Sequence, residues 1–118
     1  MHILRKIGDA GECFAARYLQ ERGYRLLSKN FTVHRRGEID LVMEKDEFLV
    51  CVEIKTRRST AVPFEALVPW RKQQRIVFAA RCYVQRWQLT EKVVRFDVVF
   101  VDVSSGVPVI THVENAFQ

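Results

Sequence analysis

Residues 37–56, GEIDLVMEKDEFLVCVEIKT, have the pattern of a β-hairpin and decide how the rest of the chain is interpreted. Two runs rich in apolar and β-branched residues, 37–43 and 47–56, are joined through the charged segment 44–47, which is compatible with a turn. Both runs have the apolar frame of core strands, yet they carry several charged side chains: Glu38, Asp40, Glu53 and Lys55. The hairpin therefore raises the question of what these charges do.

Alternation along the two strands gathers three of these charges on one face. Because successive side chains of a strand point to opposite faces, Glu53 and Lys55 share a face with Cys51. A turn centred between residues 45 and 46 sets Asp40 opposite Cys51 and diagonally beside Glu53. The same register predicts that the apolar faces of the strands meet in the core, with Ile39, Leu41 and Met43 beside Val50, Val52 and Ile54.

The remaining segments predict two helices and three further strands around this hairpin. We expect helices at 4–22 and 67–87 and strands at 24–31, 93–103 and 108–117. The second helix connects the third and fourth strands, so these two strands are expected to be parallel. The predicted order is α-β-β-β-α-β-β, a mixed α/β sheet flanked by helices in one domain of 118 residues. The inner face of the second helix is marked by Ile76, Ala80, Tyr83 and Trp87.

The composition indicates a soluble cytoplasmic protein with a phosphate-bearing partner. The chain carries a formal net charge of +5, and 48% of its residues are hydrophobic. No segment approaches the roughly 20 apolar residues of a membrane span, and charges interrupt the N-terminal stretch where a signal peptide needs apolar residues. A basic protein of this kind is attracted to nucleic acid. The three cysteines are expected to be buried and reduced: Cys13, Cys51 and Cys82.

Two carboxylates and one ammonium group at one place on a sheet are typical of a magnesium site. Carboxylates held close to each other repel, and a divalent cation removes that conflict. Mg²⁺ takes oxygen ligands, usually one or two carboxylates together with waters and substrate phosphate. Asp40 and Glu53 can supply these ligands, and Lys55 can position an attacking water or stabilise charge on a phosphate. The alternative is a solvent-facing hairpin with ordinary Glu–Lys pairs across its strands.

The spacing of Asp40 and of the triplet Glu53-Ile54-Lys55 resembles the PD-(D/E)XK pattern of restriction-endonuclease-like nucleases. More narrowly, the whole chain resembles the YraN-like family of small uncharacterised bacterial proteins, which is similar to archaeal Holliday junction resolvases. The positions that carry this resemblance extend over nearly all of the chain: Gly8, Gly11-Glu12, Asn30-Phe31, 37–41 (GEIDL), 52–57 (VEIKTR), Lys72, 95–98 (RFDV) and 115–117 (NAF).

This resemblance implies a restriction-endonuclease-like core and a role for each acid. It implies Asp40 and Glu53 as ligands of Mg²⁺ or Mn²⁺ and Lys55 as the catalytic lysine. It also implies Glu12 as an additional acid on the first helix and as a further metal ligand. Glu12 falls at helical spacing among small apolar residues, which fits a carboxylate that points inward or into a cleft. Its alternative is a carboxylate with a purely structural partner. The resolvase-like relatives also suggest a homodimer.

Basic residues surround the hairpin in the sequence and are candidates for phosphate contacts. Their guanidinium and ammonium groups can bind the nucleic-acid backbone, but nothing in their pattern encodes the reading of bases. The candidates are Arg36, Arg57, Arg58, Lys72 and Arg75. Arg95 and Asp97, by contrast, lie in a strongly apolar strand and are expected to form a structural ion pair.

The sequence leaves three functions open. The first is a Mg²⁺-dependent endonuclease acting on DNA, selective for branched or otherwise nonstandard structures. The second is a nucleic-acid-binding module that has little or no hydrolytic activity. The third is a protein-interaction adaptor whose basic surface is incidental. A binding module has no need of the complete set Glu12, Asp40, Glu53 and Lys55, whereas a nuclease does.

Overall fold

The computed structural model describes residues 2–58 and 63–118, with side chains described from residue 10 onward. The described residues form three helices and five strands. In chain order they are α1 (His2–Gln20), β1 (Arg25–Val33), β2 (Gly37–Lys45), β3 (Phe48–Arg57), α2 (Phe64–Leu67), α3 (Trp70–Arg86), β4 (Val93–Asp102) and β5 (Val109–Phe117). No helix among these residues is long and apolar enough to span a bilayer.

The five strands form a single sheet within the described ranges, in the spatial order β1-β2-β3-β4-β5. β3 and β4 are parallel and in register from Phe48↔Val93 to Arg57↔Asp102, and the other neighbours are antiparallel. The predicted mixed α/β sheet with flanking helices and the parallel pair are therefore confirmed. The element order differs from the prediction by one additional short helix, α2.

Pro69 divides the second predicted helix into two. The helix expected over 67–87 is replaced by α2 and by α3, which begins at Trp70. Proline has no N–H and disfavours helical conformation in the residue before it. Val68 accordingly ends α2 with φ −130° and ψ 73°. Pro69 is the N-cap of α3 rather than a residue of its first turn.

The turn between β2 and β3 sets a register that differs from the expected one. It consists of residues 46 and 47, and Asp46 has a left-handed conformation with φ 53°. Val42, not Asp40, therefore lies opposite Cys51. The expected register is wrong by two residues, and a shift of two residues does not by itself move a side chain to the other face.

The sheet is covered on both faces, and α1 covers the first. Its inner residues Ala15, Ala16 and Leu19 are buried. They belong to one core cluster with the sheet residues Leu41, Met43, Val50, Val52, Val99 and Val101. Small side chains on the inner face of α1 let the helix lie close to the sheet. At Gly11, an added Cβ would lie 2.7 Å from Oγ1 of Thr56 in β3.

The second core cluster lies under α3 and includes Ile39, which was expected on the opposite face. α3 buries Ile76, Ala79, Ala80 and Tyr83 against the sheet. Ile39 joins this cluster because the beginning of β2 runs against α3, where an added Cβ on Gly37 would collide with the carbonyl oxygen of Arg75. Trp87 was expected inside, but it is 46% exposed at the end of α3.

Asp97 of β4 is fully buried and is the centre of a polar network, as expected for a structural ion pair. Arg95 donates two hydrogen bonds to its carboxylate, at 2.9 and 2.8 Å. The ring of His112 and the backbone N–H of Asn115 complete its partners, at 2.7 and 3.0 Å. Burial acts to raise the pKa of Asp97, but these hydrogen bonds hold it below the ordinary value. The network ties β4 to β5.

The three cysteines are free thiols that differ in exposure. Cys51 is buried in β3, whereas Cys13 is exposed on α1 and Cys82 is partly exposed on α3. The expectation of three buried thiols is therefore wrong for Cys13 and Cys82, which lie on the outer sides of their helices. Burial, together with the charge of Asp97, raises the pKa of Cys51 to about 12.

Replacement of Gly37 tests the close approach of β2 to α3. Gly37 has no positive φ, so Gly37→Ala would ordinarily stabilise the chain by restricting its unfolded state. Here the new methyl group meets the backbone carbonyl of Arg75, and we expect a loss of about 1–3 kcal/mol in the free energy of unfolding. Urea denaturation measures this loss, with exposed His34→Ala as the control. An unchanged or increased stability of Gly37→Ala would contradict the described packing.

Candidate active site

A cleft of about 270 Å³ opens beside the region where β2 and β3 cease to be paired. All four residues predicted as catalytic contribute to its wall, which is formed by Glu12, Asp40, Glu53, Ile54, Lys55, Thr56 and Lys72. Larger grooves of about 610 and 510 Å³ lie along α3, β4 and β5, but their walls are mainly apolar and include none of the predicted acids. The small polar cleft is therefore the candidate site.

Asp40 is fixed in the cleft by the backbone of the neighbouring strand. The paired register of β2 and β3 extends as far as Leu41↔Val52. One residue further, Oδ2 of Asp40 accepts a hydrogen bond of 2.8 Å from the N–H of Ile54. The side chain thus takes the place of a backbone partner at the position where the strands separate. This contact turns the carboxylate toward β3 and toward Glu53.

Asp40 and Glu53 form a pair of carboxylates in which Asp40 is half-buried. Glu53 is only 3% exposed. Burial raises the pKa of Asp40 to about 8, and the hydrogen bond and negative charge of Glu53 contribute in the same direction. The Ile54 N–H and the charge of Lys72 oppose this rise without cancelling it. At neutral pH and without a cation, the pair therefore retains a proton.

Lys72 makes the closest ion pair to this carboxylate pair. Its Nζ lies 3.3 Å from Oε2 of Glu53, whereas Nζ of Lys55 lies 3.9 Å from the same oxygen. Lys72 is also 3.7 Å from Oε1 of Glu38. Burial acts to lower the pKa of Lys72, but the three acids around it raise it above the ordinary value. The sequence predicted a phosphate contact for Lys72, and it did not reveal that this lysine joins the acids.

Glu12 reaches the cleft from the opposite side of the sheet. It lies on α1, one residue after the glycine that packs against Thr56. The close approach of α1 to β3 brings Glu12 to the same cleft as Asp40 and Glu53. Glu38 is a further acid near the cleft and is not among the predicted site residues. Its position two residues before Asp40 on the same strand was the available signal.

The donor set fits a divalent cation with oxygen ligands. Oε2 of Glu53 is buried and has no hydrogen-bond partner among the described residues, and the carboxyl group of Glu53 interacts with that of Asp40. Within the same residues, no group of three His, Cys, Asp or Glu side chains is close enough to hold a metal ion. Two protein carboxylates completed by water and phosphate oxygens are the usual ligands of Mg²⁺. Asp40 and Glu53 would hold such an ion.

The other basic candidates lie outside the cleft wall, in contrast to Lys72. Arg36, Arg58 and Arg75 are exposed. Arg75 donates a hydrogen bond of 3.1 Å to the carbonyl of Arg35, which joins α3 to the turn before β2. Arg57 instead lies over the ring of Phe100, and its Nε is buried without a hydrogen-bond partner among the described residues.

Comparisons with known proteins identify relatives along nearly the whole chain. Residues 11–101 match the uncharacterised protein family UPF0102. A UPF0102 protein of Syntrophomonas wolfei is 44% identical over 115 residues, covering 96% of this chain and 98% of the relative. A UPF0102 protein of Geobacter sulfurreducens is 38% identical over 120 residues, covering 99% and 92% of the two chains.

The raised pKa of Asp40 predicts how stability depends on pH. The folded protein holds this proton up to about pH 8, whereas the unfolded chain releases it near 3.8. The contribution of Asp40 to the free energy of unfolding is complete below pH 3.8, the pKa of this group in the unfolded chain, and it is lost as the pH rises toward 8. Between these values the loss is about 1.4 kcal/mol per pH unit for one proton. We therefore expect Asp40→Asn to be progressively more stable than the wild type as pH rises from 5 to 8.

Urea denaturation with a chelator present measures this difference. The asparagine can still accept the hydrogen bond from Ile54, so the comparison isolates the charge. Asp102→Asn is the matched control, because its carboxyl pKa is lowered rather than raised. Parallel pH profiles for the wild type and Asp40→Asn would refute the assignment of a retained proton to the pair.

Proposed function

The chain belongs to the UPF0102 family, and we propose that it is a Mg²⁺-dependent endonuclease that hydrolyses DNA phosphodiester bonds. The observation that carries this proposal is the meeting of Asp40, Glu53 and Lys55 in one solvent-accessible cleft. The proposal includes a restriction-endonuclease-like core of the PD-(D/E)XK type, supported by the acid on β2 and the Glu-x-Lys sequence on β3.

Each residue of the cleft has a role in this proposal that follows from its position. Asp40 and Glu53 would hold the cation, and Mn²⁺ can replace Mg²⁺ in experiments. When bound, the cation lowers the pKa of water and offsets charge at phosphorus. Lys55 extends from β3 into the same cleft, where its ammonium group positions the attacking water or stabilises charge on the phosphate. Glu12 approaches from α1 and orients the water or a second ion.

Exposed basic side chains support recognition of the nucleic-acid backbone. Arg36, Arg58 and Arg75 are exposed and can contact phosphates, and Lys72 connects this basic surface to the cleft wall. Contacts of this kind position a nucleic acid without reading its sequence. We therefore propose selection by the shape of the DNA, such as a branched structure, and a strong dependence of binding on salt.

A binding module without hydrolysis is the second candidate, and one observation favours it. Lys72 already places a positive charge against Glu53 in the protein without a cation. The fold thus has an internal means of balancing this carboxylate. Such a site can persist in a protein that only binds nucleic acid.

Cleavage assays with active-site variants distinguish the two candidates. Purified protein is incubated with plasmid, single-stranded and four-way-junction DNA in the presence of Mg²⁺, Mn²⁺ or EDTA. We expect cleavage that requires the cation and that falls by at least about 100-fold in Glu53→Gln and in Lys55→Met, since each removes a group acting on the reacting atoms. Product formation on denaturing gels is the measurement.

Glu44→Gln and Lys92→Met are the matched controls, because these residues form an ion pair remote from the cleft wall. They should cleave as the wild type does. Cleavage that persists in Glu53→Gln would exclude this cleft as its origin. Salt-sensitive binding without cleavage would favour the binding module, and an absence of binding at low salt would exclude both candidates.

A further inference from the structure

Lys72 lies between two carboxylates whose surroundings differ. Its Nζ is 3.3 Å from Oε2 of Glu53 and 3.7 Å from Oε1 of Glu38. The side chain of Glu53 is 3% exposed, whereas that of Glu38 is 51% exposed. The ammonium group therefore has one partner inside the cleft and one at its rim, and both lie within ion-pair distance.

The inner partner is an oxygen that a metal ion would also use. Oε2 of Glu53 is buried and has no hydrogen-bond partner among the described residues. Nζ of Lys72 places a positive charge close to this oxygen, but it does not form a hydrogen bond with it. Two cations close to one buried oxygen repel each other strongly, because water screens them poorly there. Lys72 and a divalent cation would therefore compete for this oxygen.

We propose that Lys72 is an internal cation that competes with the divalent ion for Glu53, and that Glu38 receives Lys72 when the ion binds. The proposal rests on the cation site of the proposed function, and it assigns a role to Glu38. In the cation-free protein Lys72 balances the charge of Glu53. On binding of the ion, Nζ moves to the rim and pairs with Glu38, where it also faces an incoming phosphate.

The backbone fixes Glu38 at the distance that this exchange requires. Glu38 follows Gly37, whose missing side chain lets the beginning of β2 lie against the backbone of α3 at Arg75. Lys72 is on α3, one turn before Arg75. The carboxylate and the ammonium group are thus brought together by the packing of β2 on α3. Glu38 is a positioning residue in this scheme, since it acts on the ion only through Lys72.

A double-mutant cycle in the absence of nucleic acid tests the exchange. Mn²⁺ binding is measured by titration calorimetry for the wild type, Lys72→Met, Glu38→Gln and the double variant. We expect Lys72→Met to tighten binding and Glu38→Gln to weaken it, each by about tenfold, a typical size for residues that act on a metal site without ligating the ion. In the Lys72→Met background, Glu38→Gln should not change Mn²⁺ affinity, because Glu38 acts on the ion only through Lys72.

Two further variants control for folding and for general charge effects. Lys72→Arg retains the positive charge and should keep the wild-type affinity, which a loss of structure at this position would not allow. Glu44→Gln removes a carboxylate from the same strand, remote from the cleft wall, and should not alter Mn²⁺ binding. Circular dichroism and urea denaturation confirm that each variant is folded before titration.

The cycle separates failure of this inference from failure of the proposed function. If Glu38→Gln weakens binding equally with and without Lys72, Glu38 acts directly on the ion and the exchange is refuted. An unchanged affinity in Lys72→Met also refutes it. Absence of Mn²⁺ binding in all variants would overturn both this inference and the cation-dependent chemistry. The expected coupling without any DNA cleavage would overturn the nuclease alone.

Discussion

Two carboxylates held against each other in a partly closed cleft are the constraint on which this structure depends. Asp40 and Glu53 come together where the pairing of β2 with β3 ends at Leu41↔Val52, so that Asp40 and Glu53 are the next residues of the two strands. The strand edge that opens there is closed by the Asp40 side chain, which binds the N–H of Ile54. The carboxylate of Asp40 thereby replaces a backbone hydrogen-bond acceptor of the sheet. It lies next to Glu53, which is almost fully buried. This arrangement opposes stability unless a proton or a cation accompanies it.

The contrast between Asp40 and Asp97 shows how surroundings determine the role of the same side chain. Both are partly or fully buried aspartates on neighbouring parts of one sheet. Asp97 is surrounded by Arg95, His112 and a backbone N–H, which hold its pKa below the ordinary value despite burial. Asp40 faces Glu53, and its pKa is raised to about 8. The charge of Asp97 is balanced by partners within the protein. Asp40, by contrast, needs a proton or a cation beside it, as is typical of functional sites.

Local patterns predicted much of this fold, and contacts between distant segments account for what they missed. Alternation identified the strands and put Asp40, Glu53 and Lys55 on a common face. The register was misjudged because it depends on the conformation of Asp46 in the turn. Ile39 and Glu38 were misjudged or overlooked because their surroundings depend on the approach of β2 to α3 at Gly37. No periodicity within one strand contains information about a helix more than thirty residues away in sequence.

The buried thiol of Cys51 is a probe for local unfolding of the sheet. Cys51 is two residues before Glu53 on β3, is enclosed on both sides, and has a pKa of about 12. Thiolate, the reactive species, is therefore scarce at neutral pH, and alkylating reagents reach the sulfur only when the strand is released. Cys13 and Cys82, which are more accessible, react without such an event. The labelling rate at Cys51 thus reports how often the central strand detaches, and with it how often the acid beside it is exposed to water.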